Sequence, residues 1–457
     1  MTEPIRTAAI LATGDEIVGG RTVDTNSSWL ADKLATLGID VVAFLAVNDD
    51  VDRIAWAWRS AIERADLVIS TGGLGPTSDD LTTETLAGVA GVDVRLDERQ
   101  AERIREMFRS RGRTMPENNL RQAMIPIGAE VIDNPVGTAP GYRIPIARSA
   151  ATAGGATMGS SPSHCIVLPG VPREMKPMFE QTVLPWITAN IDPGHIVVSH
   201  TFQTFGLPES ALDERLRGVV PPERGRLAFR ATFPKISLRV SVSGAPGRAE
   251  AELAMLAGEV RARIADVAYA EGEASMEEVV GRLLSERGLT VATAESCSGG
   301  LLGSRLTDVP GSSAYYRGGL VAYSNDLKQR LLGVDVKTLE KHGAVSEETA
   351  REMATGALRL TVADLAISTT GIAGPDGGTP EKPVGTVAIA IAKRSNGSGD
   401  SGVEVDSRLY RLWGGRDWVK MLSTQVALDW VRRKLLDLPA LEPATFMAAA
   451  ARKQGAA

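Results

Sequence analysis

The sequence predicts an α/β protein of three domains, and three observations carry that expectation. Short apolar runs alternate with helical patterns over the first 170 or so residues, the same rhythm returns after about residue 275, and an α+β pattern separates the two. A β-α-β-α-β rhythm implies a parallel sheet covered on both faces. At 457 residues the chain is also too long for one ordinary core. The expected boundaries are 1–175 for a first α/β domain, 176–270 for a small α+β module, 275–438 for a second α/β domain and 443–457 for a disordered tail.

Taken in order, Ala8–Ala12 reads as a buried strand, Asn26–Leu37 as a helix, Val41–Val47 as a second strand, Val51–Arg64 as a second helix and Leu67–Thr71 as a third strand. Ser149–Ser163, rich in Gly, Ala, Ser and Thr, reads as a flexible excursion between two strands. Ile166–Leu168 then leads into Pro169–Met175, a turn opening a helix. Beyond Gly194 the strands are Val197–Phe205 and Ile236–Ser243, the helices Glu209–Leu216 and Arg248–Ile264, and Glu271–Ala274 a linker. The last domain begins with a helix over Met276–Arg287, a strand over Thr290–Ala294, a helix over Gly300–Thr307 and a strand over Gly319–Tyr323. It continues with a helix over Glu347–Leu360 and strands over Leu365–Thr369 and Gly385–Ala392. Lys393–Asp406 reads as a hairpin tip, Trp418–Leu435 as a closing amphipathic helix, and the Ala-rich tail from about Pro443 as disordered.

Composition narrows the function classes. The apolar fraction of 43% and charged fraction of 23% are those of soluble globular proteins. A net charge of −6 argues against a general nucleic-acid footprint. Two cysteines, Cys165 and Cys297, give no disulfide framework, which fits a reducing cytosol. Met1–Pro4 lacks the basic start of a signal peptide, and no apolar run approaches the ~20 residues of a membrane span. None of the four histidines is spaced as His-x-x-x-His or beside clustered cysteines, which argues against structural zinc. The expectation is a cytoplasmic protein.

Leu289–Ala294 runs into Glu295-Ser296-Cys297-Ser298-Gly299-Gly300 and at once into a helical pattern. Such a turn presents backbone N–H groups and the positive end of a helix dipole, suited to a phosphate or to the oxyanion of acyl transfer. Taken alone, it reads equally well as an N-cap turn without chemistry. Three further segments add to it: Tyr323-Ser324-Asn325-Asp326-Leu327-Lys328, the glycine-rich loop Thr369–Gly378, and Gly414-Gly415-Arg416 before the last helix. In an open α/β sheet, loops at the carboxyl ends of strands form the ligand crevice, so Ser296, Tyr323, Lys328 and Arg416 are expected to converge there. A desolvated lysine can deprotonate a serine, and a tyrosine can relay the proton. No histidine is required, and His342 reads as structural.

With Thr293–Gly300, Pro310-Gly311-Ser312-Ser313, Tyr323-Ser324-Asn325-x-x-Lys328, Gly343–Glu347 and Gly371-Ile372-Ala373-Gly374-Pro375, this domain resembles, end to end, the C-terminal domain of the CinA family, the PncC-type nicotinamide-nucleotide amidase. The resemblance implies hydrolysis of nicotinamide mononucleotide to nicotinate mononucleotide and ammonia, with no cofactor. It casts Ser296 as nucleophile, Lys328 as general base, Tyr323 as partner in proton transfer and Thr370 as a contact to the reacting amide or an aid in orienting Ser296. Arg416 would pair with the ligand phosphate. Ser298, where the family usually has threonine, would line the substrate site with Gly299, Gly300, Gly371 and Gly374. Cys297 is a rival nucleophile, since thiols at helix N-termini become thiolates.

In the first domain, Gly14–Ile17, Asp24–Ser27 and Thr71–Thr82 all follow expected strands. Gly72, Gly73 and Gly75 would let a phosphate-bearing ligand approach the backbone, and the paired Asp79 and Asp80 suit a divalent ion bridging phosphate oxygens. The plain alternative for that pair is acids favoured at a helix start. The segment resembles the MoaB/MogA-like fold of molybdenum-cofactor biosynthesis, departing at Leu74, where the pterin-binding proteins usually carry threonine. With Asn134–Gly141 and Leu168–Met175, the pattern is similar to the CinA form. That resemblance implies a metal-dependent ADP-ribose pyrophosphatase using cobalt, nickel, manganese or magnesium, with Asp79, Asp80, Glu16 and Asp24 as candidates for the metal. The Ser149–Ser163 insertion departs from the compact pattern.

The middle module resembles the KH-like domain of full-length CinA proteins. Gly244-Ala245-Pro246-Gly247 has the Gly-x-x-Gly spelling of a nucleic-acid clamp, but follows an expected strand and holds no lysine or arginine. The leading expectation is therefore a bifunctional pyridine-nucleotide recycling enzyme, acting on nicotinamide mononucleotide and ADP-ribose, with no membrane partner, and a homodimer by resemblance. The alternatives are a partner protein of DNA uptake and recombination, or molybdopterin binding at the first domain, which Leu74 weakens.

Overall fold

In the computed structural model the described residues are 4–148, 161–192, 194–394 and 402–442. Two compact units emerge, one of residues 1–199 with 242–252 and one of 200–241 with 253–457. The bulk of the Ser149–Ser163 excursion, the tip 395–401 and the tail from Pro443 lie outside the described residues.

The first unit is built on a six-stranded sheet in the order Asp40–Val47, Thr7–Thr13, Leu67–Thr71, Ser163–Leu168, Gly141–Ile146 and Glu130–Ile132. The first four strands run parallel, as the rhythm predicts. The last two run antiparallel, a correction to an all-parallel sheet. For the outer pair the reason is local: residues 133–140, between Glu130–Ile132 and Gly141–Ile146, are too few for the crossover a parallel pair requires. Along Thr7–Thr13, Ala8 and Ile10 enter one apolar cluster and Ala9 and Leu11 another, so both faces of the sheet are covered. Two of the helices start where an aspartate satisfies a first-turn amide: Asp24 accepts from Ser27 N (2.9 Å) before Thr25–Thr36, and Asp50 from Arg53 N (3.0 Å) before Val51–Ile62.

A four-stranded sheet, of which residues 196–199 and 242–244 count with the first unit and the rest with the second, is ordered Arg226–Thr232, Lys235–Gly244, Ile196–Thr204 and Ala268–Glu271. The expected linker shrinks to 272–274, because Glu271 pairs with Phe202 in the sheet and its carboxylate receives Arg261 and sits 2.7 Å from His200. Phe205 and Tyr269 of this module join the same apolar cluster as the last domain's Val291, Leu365 and Val426. The Gly244–Gly247 turn sits between strand Lys235–Gly244 and helix Arg248–Ile264.

The last domain is a five-stranded sheet ordered Tyr316–Val321, Val291–Glu295, Leu365–Gly371, Thr386–Arg394 and Val403–Arg411. Its first three strands are parallel and its last two antiparallel. The first helix, Met276–Glu286, opens with a reciprocal Ser275/Glu278 capping box. The strand expected over Gly319–Tyr323 is instead Tyr316–Val321, which leaves Tyr323 in the loop beyond it. The closing helix Arg416–Leu435 is not amphipathic. From Val419 onward it is buried nearly all round, and its interior polar groups pair internally: Asp429 accepts from Arg432 (2.9 Å) and Arg433 (2.6 Å). No helix among the described residues is long and apolar enough to cross a membrane. Cys165 and Cys297 are free and buried.

Candidate active sites

The serine loop begins with the central strand Val291–Glu295, buried along its whole length between two parallel neighbours. Beyond it Ser296 N donates to Thr369 O (2.8 Å) and Gly299 N to Ser296 O (3.1 Å), closing a tight turn. Gly300 caps the following helix at φ +95°, a left-handed conformation that glycine adopts without strain.

Glu295 organises this turn. Its carboxylate, 1% exposed, accepts from Gly300 N (2.9 Å), Leu302 N (3.0 Å), Gly303 N (2.8 Å) and Ser298 Oγ (2.7 Å). The helix-start amides that the sequence offers to a ligand anion are thus already filled from within. Ser298 is fully buried, with the Thr369 hydroxyl 2.7 Å away, so its hydroxyl holds Glu295.

Lys328 rises from the helix Asn325–Leu332, which Ser324 caps through Leu327 N (3.2 Å). Its Nζ stands 2.9 Å from Ser296 Oγ, 3.0 Å from Ala322 O and 3.3 Å from Tyr323 O. Lys328 is 2% exposed and makes no ion pair with a carboxylate among the described residues. Burial therefore pulls its pKa below the ordinary lysine value. In the neutral amine two N–H groups satisfy the two carbonyls and the lone pair is left for the serine proton. The geometry is that of a serine nucleophile with a lysine base. Cys297, beside it, is buried, and burial pushes its thiol up to about 11, the opposite of an activated thiolate.

The remaining expected partners sit further out. Tyr323 is 58% exposed, and its hydroxyl accepts from Arg416 (2.8 Å) rather than bonding Ser296 or Lys328. Arg416 also donates to Gly374 O (2.8 Å), so it joins two loops at the carboxyl ends of the strands. Thr370 donates to Ala344 O (2.7 Å) and is buried. At Gly371 a β-carbon would lie 2.7 Å from Val387 Cγ2 and 2.8 Å from Thr386 O of the neighbouring strand. His342 ion-pairs with Glu348 (3.3 Å) at a helix end.

In the first unit, Glu16, Asp24, Gly72, Gly73, Gly75, Asp79 and Asp80 all line one cavity of about 570 Å³. Local bonds engage several of them. Asp24 caps its helix, and Asp80 accepts from Thr77 N (2.9 Å) and Thr77 Oγ1 (2.6 Å). At Gly73, φ is +66° and a β-carbon would lie 2.0 Å from Thr82 Oγ1, so chain packing alone demands glycine there. Asp49 also lines this cavity, and sequence reasoning overlooked it. Burial first, then the charges of Asp15, Glu16 and Asp79, hold its carboxyl above the usual range. Among the described residues no three His, Cys, Asp or Glu side chains converge on one metal position. Glu16, Asp49 and Asp79 each bring a carboxyl group to the lining of this cavity.

Comparison with known proteins places these sites in a family context. Residues 9–189 match the family described as "Probable molybdopterin binding domain", 199–270 the "Damage-inducible protein CinA KH domain" and 273–435 the "CinA C-terminal domain". A "Putative competence-damage inducible protein" of Halothermothrix orenii is 40% identical over 432 residues, covering 94% of this chain and 98% of that protein. A "CinA-like protein" of Citrifermentans bemidjiense is 43% identical over 433 residues, covering 94% and 97%. A "Nicotinamide-nucleotide amidohydrolase PncC" of Shewanella oneidensis is 38% identical over 428 residues, covering 93% and 95%.

Proposed function

The chain belongs to the CinA family, and from that premise we propose that its last domain hydrolyses the carboxamide of nicotinamide mononucleotide. The observation that supports this reading most directly is the 2.9 Å approach of the buried Lys328 amine to Ser296 Oγ. Ser296 Oγ bonds to the carboxamide carbon as its proton passes to Lys328 Nζ. The C–N bond then breaks and Lys328 returns the proton to the leaving nitrogen, which departs as ammonia. Water hydrolyses the resulting ester, releasing nicotinate mononucleotide and restoring the Ser296 hydroxyl. Arg416 binds the nucleotide at the mouth. Tyr323, held by Arg416, orients that guanidinium; Thr370 fixes the strand end by holding Ala344. Ser296→Ala should abolish ammonia release while nucleotide binding persists. Near-normal turnover in Ser296→Ala, with loss in Cys297→Ala, would instead assign the attack to the thiol.

The first unit, on this reading, cleaves ADP-ribose to AMP and ribose 5-phosphate with a divalent metal. Glu16, Asp49 and Asp79 would hold the ion jointly with the substrate's phosphates, and the ion would polarise the phosphoryl oxygens. Product analysis with cobalt, nickel, manganese or magnesium tests this; no AMP with any of the four removes it. A cytoplasmic homodimer is part of the same reading, to be checked by light scattering and cell fractionation. Molybdopterin binding remains the rival for the cavity, and Leu74, buried in its lining, is the residue that disfavours it.

A further inference from the structure

One cation beside the serine loop has no role in the chemistry so far. Glu295 already occupies the start of helix Leu301–Thr307 through the amides of Gly300, Leu302 and Gly303, so a substrate phosphate is not offered that helix end. On the closing helix, Arg416 and Lys420 stand four residues apart, on one helical face. A methyl placed on Gly299 would lie 3.8 Å from Lys420 Nζ, so this ammonium stands directly beside the loop that bears Ser296. Arg416 spends two N–H groups on Gly374 O and the Tyr323 hydroxyl. Lys420 has no hydrogen-bond acceptor or ion-pair partner for its ammonium among the described residues, and no ion pair joins Asp417 to either cation. Two like charges at this spacing repel, and a doubly charged anion between them relieves the repulsion.

We propose that Lys420 is a specificity-determining residue of this site: together with Arg416 it takes the substrate's 5′-phosphate and selects a mononucleotide over the unphosphorylated nucleoside. The proposal rests on the amidase reading for the identity of that nucleotide, but not for the existence of the phosphate subsite.

The test uses the full chain in a Ser296→Ala background. Binding of nicotinamide mononucleotide and of nicotinamide riboside is measured by calorimetry, with Lys420 intact, as Lys420→Met and as Lys420→Arg. The preference for the mononucleotide should shrink about tenfold in Lys420→Met and largely return in Lys420→Arg. A preference unchanged by Lys420→Met overturns the proposal, as does a loss that arginine fails to restore. Ammonia release by the wild-type chain separates the two readings. No ammonia, with the preference still lost in Lys420→Met, sinks the amidase and keeps the phosphate subsite. Ammonia from a chain whose Lys420→Met preference is intact does the reverse.

Discussion

Two glycine-rich loops leave central parallel strands in this protein, Glu295–Gly300 in the second unit and Thr71–Thr82 in the first, and their electrostatics are opposite. In the serine loop the carboxylate points inward, is buried and is matched by backbone amides, while a lysine with no carboxylate partner among the described residues is buried beside it. Around the other loop Glu16, Asp49 and Asp79 line one cavity, and burial, joined by the charges of Asp15, Glu16 and Asp79, disfavours the charge on Asp49. Both loops look like phosphate cradles by spelling. Burial decides otherwise: one suits a neutral amine acting on a hydroxyl, the other an accumulation of negative charge that a cation would balance.

The largest effects should come from the buried pair. Lys328→Met, which keeps the stem and removes the base, should lower ammonia release by about 10²–10⁴-fold, with binding of the mononucleotide little changed. A loss confined to KM would mean that Lys328 binds substrate and the base lies elsewhere. The pH dependence follows from the same burial. The active form is the neutral amine, so kcat/KM should fall as pH drops through the lowered pKa of Lys328. Stability carries the same sign. Between that lowered value and the ordinary 10.5, the unfolded chain binds more protons than the folded one, so stability falls as pH falls through this window. Lys328→Met should flatten that slope, measurable by denaturant titration across pH; an unchanged slope would remove the burial argument.

Glu295 comes next. Glu295→Ala strands the buried amides of Leu302 and Gly303 and frees the Ser298 hydroxyl, each group costing about 1–3 kcal/mol if no water enters. A fall in Tm should accompany a loss of turnover, because the turn that aims Ser296 loses its anchor. Full turnover in a destabilised Glu295→Ala would show that the turn holds its shape without the carboxylate.

How far the sequence carried the reading differs between the two loops for the same reason. The alternating apolar runs located most strands and helices to within a few residues, since burial on both faces leaves a continuous apolar signature. Ser296 and Lys328 were legible because strand-end loops converge at one edge of the sheet, whatever the packing. Glu295 is different. A carboxylate one residue before a helix-start turn is a cap signal, but its burial is a tertiary fact. The resemblance casts Tyr323 as a proton partner and the pattern puts it at a strand end; the strand ends two residues sooner, and the Tyr323 hydroxyl meets Arg416. Lys420 carries no local signature at all. Only the approach of the closing helix to Gly299 gives it meaning.

The smallest expected effect is at Asp24, and it sharpens the comparison from the side of the first unit. Asp24 lines the cavity and was a metal candidate, yet its Oδ1 accepts from Ser27 N at 2.9 Å as the cap of helix Thr25–Thr36. Asparagine caps about as well as aspartate but carries no charge. If capping is the whole of its work, Asp24→Asn should change stability by less than about 0.5 kcal/mol and leave metal-dependent ADP-ribose cleavage within about twofold. Asp79→Asn, in the same assay, should lose activity by at least about tenfold, because Asp79 stands in the turn before helix Thr82–Ala90, which takes no side-chain cap, and so has no capping work of the kind Asp24 does. A tenfold loss in Asp24→Asn as well would move Asp24 from the helix to the metal, and the first unit's carboxylates would then work as one group.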